Sequence, residues 1–453
     1  MFGTLELPIW FVVVAALLAI IAAFERMLIP SVRWFLRRRM ERVVARVNTR
    51  LQRPIEPFKL ARRHDTIQRI IYHPEVMSAV AEFARKEGIP ENVAFERARK
   101  YAREIVPSFS ASAYFGIATR LSKILSRALY RVRLGHDDET LKDIDPNATV
   151  VFVMNHRSNM DYVLVTYLAA ERSALSYAVG EWARVWPLSR LLQAMGAYFI
   201  RRRSRGALYR RVLSRYVQLA TEEGVTQAIF PEGGLSLNGK LAEPKLGLLN
   251  YAVSAWEQGG RDLVFVPVAV NYDRVLEDYI LVAAEKRGDR RFGANISVVV
   301  KFLFNQLWLR VTGRFYRFGY AAASFGQPLS LNEFQKGKQK FDIEKVAGEL
   351  MNRIGKVVPI LPVPLIALVL EEAAGDIAEA DLIEQAKTLL GGFKEGHVHL
   401  PRESADYAIE VGLRNLASRK LIDRTNGLVS ITQKGEDVVP YYAATISHLK
   451  RDE

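Results

Sequence analysis

The chain has no cysteine, which excludes disulfides, thiol nucleophiles and zinc sites built on thiolates. No internal repeat and no low-complexity tract occurs in its 453 residues. The complete G-x-x-x-x-G-K-[ST] pattern of a nucleotide phosphate loop is missing. The first six residues carry Glu6 and neither lysine nor arginine, a poor start for a cleaved signal peptide.

Hydrophobic residues make up 49% of the chain and charged residues 25%, enough apolar material for two or three folding units with real cores. The formal net charge of +15 attracts nucleic acid, anionic lipid or acidic proteins, and does not choose among them. Leu7 to Phe24 is uncharged and mostly apolar. As a helix it would measure about 27 Å against a hydrocarbon core of about 30 Å. Nine arginines between Arg26 and Arg53 follow, against only Glu25 and Glu41. A membrane-spanning helix with that flank places the rest of the chain in the cytoplasm; an interfacial helix or a soluble packing helix are the alternatives.

The expected organisation is an anchor helix over 1–25, a helical arm over 26–147 and an α/β domain over 148–330. A connecting apolar segment over 331–375 and a winged-helix-like unit over 376–453 follow. In the arm, Val76 to Lys86, Asn92 to Glu104 and Ile117 to Tyr130 carry helical periodicity, with a break at Pro107. From Ala148 on, short β-branched runs (Thr149 to Met154, Ala197 to Ile200, Thr226 to Phe230, Leu263 to Asn271) alternate with helical stretches (Met160 to Glu171, Ala207 to Glu222, Leu246 to Glu257). That alternation predicts an α/β sheet with flanking helices, its ligands bound beyond the strand ends. Pro267 inside its run suggests an edge or a bulge. Val357 to Leu370 is apolar but holds three prolines, which argues against a spanning helix and allows packing on a membrane surface. Near the end, Asn426-Gly427 between apolar runs signals a hairpin behind two helices.

The polar motifs fall at those strand ends. His156 follows the first strand directly, and Asp161 falls in the first turn of the next helix. The carboxylate can then hold one ring nitrogen of His156, leaving the other to accept a proton. This is the base and orienter of a catalytic triad without a protein nucleophile, whose place a substrate hydroxyl could take. Spacing alone leaves a structural histidine open. Phe230-Pro231-Glu232-Gly233-Gly234-Leu235-Ser236, with Lys240 and Lys245 beyond, offers backbone N–H groups and cations to an anion; an ordinary strand-to-helix turn reads the same way. Gly196 to Ile200 ends in Arg201 and Arg202, which can grip a phosphate or simply face solvent or lipid. Val266-Pro267-Val268 leads to Tyr272-Asp273-Arg274.

Taken in order, these four clusters resemble the conserved blocks of the glycerophospholipid acyltransferase family, in the wording of its bacterial membrane-bound glycerol-3-phosphate branch. His156 and Asp161 match the H-x4-D block. Gly196 to Arg202 match G-A-F-F-I-R-R with Tyr198 in place of Phe, Phe230 to Ser236 match F-x-E-G-G-x-S, and Val266 to Glu277 match V-P-V continuing into Y-D-R-V-x-E. The resemblance implies transfer of a fatty acyl group from acyl-CoA or acyl-carrier protein to the sn-1 hydroxyl of glycerol-3-phosphate, for phospholipid synthesis at the bacterial inner membrane. In that scheme His156 and Asp161 are catalytic and need neither a metal nor a further cofactor. Arg157, Ser158, Arg201, Arg202, Glu232, Gly233, Gly234, Ser236, Lys240, Lys245 and Pro267 form the substrate site. Leu235 and Leu237 stand where the family usually carries phosphate-binding arginines, which opens the alternative of a lysophospholipid acceptor.

Two other classes compete. A membrane-tethered nucleic-acid binder would need a basic stripe on the tail, but Arg414, Arg419, Lys420 and Arg424 are offset there by Glu403, Asp406, Glu410 and Asp423, so no nucleic acid is expected. A catalytically dead scaffold is disfavoured by the intact His156 and Asp161.

Overall fold

The computed structural model describes all residues except 1–7, 52, 136–142, 170–172, 181–182, 185–187, 202–205, 258–259, 289–317, 338–340, 394–397 and 451–453. The chain divides into two compact units, Met1–Pro54 and Ile55–Glu453. In the first, Ile9–Asn48 is one helix of 40 residues. Its first two turns leave Ile9, Trp10, Phe11, Val12, Val13 and Val14 exposed, with Leu17 and Leu18 behind them. Among the described residues no helix is long and apolar enough to cross a membrane. Leu7 and the side chains of residues 20–24, which belong to the span expected from Leu7 to Phe24, lie outside the described residues; the apolar stretch from Ile9 on leads without a break into the arginine-rich half of the same helix.

The second unit begins with the helical arm, in which Arg63–Ile71, Pro74–Glu87 and Glu91–Ile105 pack together. Ala94, Ala98, Ala102 and Ile105 form one buried stripe at helical spacing, facing Val76, Val80 and Ala84. Small side chains there let the two helices approach closely. Gly88 ends the first of them in the left-handed region, at φ +63°, where a side chain would be strained.

Among the described residues eight strands make the main sheet: β1 Arg131–Leu134, β2 Thr149–Met154, β3 Ser176–Val179, β4 Tyr198–Phe199, β5 Gln227–Ile229, β6 Leu263–Tyr272, β7 Tyr320–Phe325 and β8 Leu329–Ser330. The spatial order is β1-β7-β6-β2-β5-β3-β4, with β8 also paired to β6. From β6 to β4 every pairing is parallel, β7 runs antiparallel to β6, and β1 is parallel to β7. Strands β2 and β6 are buried along their whole length, as parallel strands covered on both faces must be. Pro267 sits in the middle of β6, a central strand, and not at an edge or bulge. Its carbonyl accepts from Gly326 N, so its missing N–H points into the gap where β7 pairing stops at Val268 and β8 pairing begins at Phe265. No donor is needed there.

Residues 362–370, expected as a possible membrane-surface segment, are core. Pro362 occupies the first turn of the helix Pro362–Ala373, and every residue to Leu370 is buried. This helix packs against Ala405–Ser418 and Val438–Ala444. The predicted hairpin is present as β10 Ile422–Thr425 and β11 Leu428–Ile431, joined through Asn426 and Gly427, both with positive φ. A short strand β9, Ile377–Ala378, completes a three-stranded antiparallel sheet. These C-terminal elements share one core with the α/β elements.

Candidate active site

Strand β2 delivers His156 to the carboxyl rim of the sheet, and the helix Met160–Ala169 places Asp161 in its first turn. His156 Nδ1 lies 2.8 Å from Asp161 Oδ2. The same oxygen accepts the backbone N–H groups of Arg157 at 2.7 Å and Ser158 at 3.1 Å. Oδ1 accepts the Tyr272 hydroxyl at 2.6 Å. Burial first, and then the Asp161 charge, hold the Tyr272 hydroxyl well above its ordinary range, so it remains a donor. The carboxylate is fully buried and fully satisfied. With Nδ1 donating to it, Nε2 of His156 carries the acceptor lone pair, and no described residue hydrogen-bonds to that atom. The ring lies against Phe230, with centroids 4.2 Å apart, and meets Tyr162 edge-on at 5.4 Å.

The backbone of His156 is gripped from both sides by the third sequence block. His156 N donates to Glu232 Oε1 at 3.1 Å, and Ser236 N donates to His156 O at 2.9 Å. Glu232 Oε2 accepts from Ala242 N, and Ser236 Oγ donates to Lys240 O at 2.7 Å. Burial pushes the Glu232 carboxyl up, against the pull of Arg157 and these backbone donors. Both side chains thus tie one loop to the next, with their polar atoms engaged by protein. Arg157 is also buried; its guanidinium donates to the carbonyls of Gly239 and Lys240 and locks the same loop.

Gly233 adopts φ +68°, and the Lys245 side chain lies across it so closely that a Cβ would sit 2.7 Å from Lys245 Cδ and 3.1 Å from its Nζ. Gly233 N–H is used by the turn itself, donating to Phe230 O. Gly234 N–H has no partner among the described residues. Lys240 and Lys245 are exposed. The site thereby brings together His156, Arg157, Ser158, Asp161, Glu232, Gly233, Ser236, Lys240 and Lys245. Arg201 stands apart at the end of β4, three strands from β2, in a two-point pair with Glu104 at 2.7 and 2.6 Å. Pro267 lies within the sheet, level with Val153. Arg202 lies outside the described residues.

Three contributors were not among the expected site residues. Tyr272 interrupts an apolar strand with a phenol. Asn155 exchanges two hydrogen bonds with the backbone of Val270, fixing β2 to β6 just before the histidine. Glu277 holds the loop after it: one carboxylate oxygen accepts the Ser158 hydroxyl at 2.7 Å, the other the backbone and side-chain N–H groups of Asn159 at 3.2 and 3.0 Å. Burial raises the Glu277 carboxyl, and those bonds oppose the rise. The adjacent Asp278 is clamped by Arg419 at 2.5 Å and the Tyr442 hydroxyl at 2.6 Å, both from the C-terminal elements. Tyr272 and Glu277 do fall within the fourth sequence block.

Residues 135–271 match the Acyltransferase family model, and residues 307–449 match that of the glycerol-3-phosphate acyltransferase C-terminal region. The chain carries these two domains one after the other. Among similar proteins, the glycerol-3-phosphate acyltransferase of Glaesserella parasuis is 26% identical over 86% of this chain and 50% of its own length. That of Xanthomonas campestris is 27% identical over 91% and 48%, and that of Actinobacillus succinogenes 30% over 61% and 33%. The chain thus spans about half the length of the curated relatives it matches first. A solved 1-acyl-sn-glycerophosphate acyltransferase, PlsC from Thermotoga maritima, aligns with 53% of this chain and 77% of its own at 18% identity, with a TM-score of 0.34.

Proposed function

We propose that this protein transfers a fatty acyl group from a thioester, acyl-CoA or acyl-carrier protein, to the sn-1 hydroxyl of glycerol-3-phosphate. The observation that carries the reading is the buried His156–Asp161 pair with Nε2 open and no serine or threonine hydroxyl bonded to it. Nε2 takes the proton of the acceptor hydroxyl as its oxygen attacks the thioester carbonyl. The imidazolium that forms is stabilised by Asp161 at 2.8 Å. Collapse of the tetrahedral intermediate breaks the C–S bond, and His156 returns its proton to the leaving thiolate. No acyl-enzyme forms. The free Gly234 N–H serves as oxyanion donor, a contribution of roughly 3 kcal/mol in comparable sites. Lys245, held over the Gly233 turn, and Lys240 bind the acceptor phosphate beside that turn, while Arg201 is paired with Glu104 away from it.

Attachment to the cytoplasmic face of the bacterial inner membrane is part of the proposal. It is supported by the exposed apolar start of Ile9–Asn48 and the arginines that follow it. The winged-helix-like C-terminal elements act as a brace on the site. A lysophospholipid acceptor is the second reading, favoured by Leu235 and the buried Leu237 on the third block. Membranes containing the protein, given a labelled thioester with each acceptor separately, distinguish the two. Product from glycerol-3-phosphate that disappears in His156→Ala supports the first; product from lysophosphatidic acid alone overturns it.

A further inference from the structure

We infer that the exposed face where edge strand β1 meets the helix Ala405–Ser418 is a second anion site, built to bind phosphate groups. Four arginines gather there around two tyrosines. Arg131 donates to the Tyr320 hydroxyl at 3.3 Å and lies over that ring, and Arg133 lies over the same ring at 5.8 Å. Arg402 lies over the Tyr407 ring at 4.3 Å, and Arg131 first, then Arg402 and Arg414, hold the Tyr407 hydroxyl below its ordinary range. Tyr320 and Tyr407 pack into one small cluster with Leu361 and Val411, so the four cations stand on a common aromatic floor.

None of the four is in an ion pair among the described residues. The acids of the neighbouring helix are engaged elsewhere, Asp406 by Lys387 and Glu410 by Arg424, and Glu403 is in no ion pair. Gathering four exposed like charges with no ion-pair partner among the described residues opposes folding. Guarding a sheet edge against aggregation explains Arg131 and Arg133. It does not explain two further arginines brought from the C-terminal elements, one of them in the left-handed region at φ 56°. Guanidinium groups placed over aromatic rings still offer N–H donors outward, which suits phosphate oxygens.

The cluster shares the rim of the catalytic pair. Arg131 is in register with Tyr320, whose N–H donates to Asp273, the residue just past the end of β6. From β2 to β1 is three strand spacings, about 14 Å across the sheet. Tyr320 and Ala322 line the face opposite the one on which Tyr272 reaches Asp161, so the anion site lies around the rim from the reacting atoms. The phosphate could belong to the carrier portion of the thioester or to an anionic lipid headgroup.

The test uses the full chain and the triple variant Arg131→Gln, Arg133→Gln, Arg402→Gln. Calorimetric titration with inorganic pyrophosphate should show affinity falling on the order of tenfold or more, as expected for loss of charge-assisted hydrogen bonds. This arm does not rest on the acyl-transfer reading. A rise in KM for acyl-CoA with kcat kept then assigns the phosphate to the thioester carrier. Loss of the extra binding that phosphatidylglycerol gives to phosphatidylcholine vesicles, with KM unchanged, assigns it to headgroups. If the triple variant melts early, Arg414→Gln, a single exposed change, should still lower pyrophosphate affinity measurably. Unchanged pyrophosphate affinity in the stably folded variant overturns the site.

Discussion

Replacing Asp161 with asparagine separates the orienting role of that side chain from its charge. Three donors converge on the Oδ2 position, His156 Nδ1 and the backbone N–H groups of Arg157 and Ser158, whereas Oδ1 faces the single hydroxyl of Tyr272. The backbone donors cannot turn; a phenol hydroxyl can. Asparagine will therefore aim its carbonyl at His156 and its amide at Tyr272, which rotates to accept. The imidazole keeps its tautomer and position, and only the negative charge is lost. For charges about 4 Å apart at an effective dielectric constant of about 20, Coulomb's law gives roughly 4 kcal/mol; charge-assisted hydrogen bonds measure about 1.5–3 kcal/mol. Since each 1.36 kcal/mol is tenfold in rate, kcat should fall between about tenfold and about a thousandfold. Steady-state transfer of labelled acyl groups reads this directly. Adding Tyr272→Phe should lower the rate further, since the buried asparagine amide then has no partner. An Asp161→Asn enzyme within about threefold of wild type would refute the view that the carboxylate stabilises a developing imidazolium.

Glu277→Gln should be mild, less than about tenfold in kcat, because a glutamine can still accept from Asn159 while Ser158 reverses its hydroxyl; Glu277→Ala should lose about a hundredfold with KM unchanged. Wild-type kcat in the alanine variant would remove Glu277 from the positioning scheme. Burial pushes the Asp273 carboxyl up to about 7, against the pull of the Val363 and Tyr320 N–H groups. An acid raised in the folded state contributes stability that is full below its unfolded value near 4 and is lost as pH rises to about 7, about 4 kcal/mol at most. Urea unfolding should therefore weaken more steeply over that window in wild type than in Asp273→Asn, and parallel curves would contradict it. Tyr442→Phe orphans Val275 N and loosens Asp278, so it should cost about 1–3 kcal/mol in unfolding free energy; a variant as stable as wild type would show the clamp to be idle.

How far the sequence was legible follows from what each element rests on. Thr149–Met154, Ala207–Glu222 and Leu246–Glu257 announce themselves because burial on both faces or on one stripe writes a local pattern. Arg131–Leu134 and Tyr320–Phe325 do not: one carries two arginines and the other three alanines in a row, and both are strands because of their partners. The His156–Asp161 pair was legible since only four residues separate its members. Glu277 was not, because what it holds lies 118 and 119 positions earlier. Arg201 read as a phosphate ligand for the same reason, its partner Glu104 being 97 residues away. Pro267 read as an edge signal because no local pattern shows that β7 hands over to β8 beside it.

The Arg419–Tyr442–Asp278 clamp has a consequence for how the protein comes into being. Glu277 cannot be fixed against the histidine loop until the segment bearing Tyr442 has been made, and the loop held by Arg157 is packed at Gly239 against the backbone of Tyr441. A chain still emerging from the ribosome therefore carries its base and its carboxylate for almost three hundred residues of synthesis without a working arrangement of the two. A product stalled or clipped before Tyr442 lacks that brace and should be silent rather than partly active.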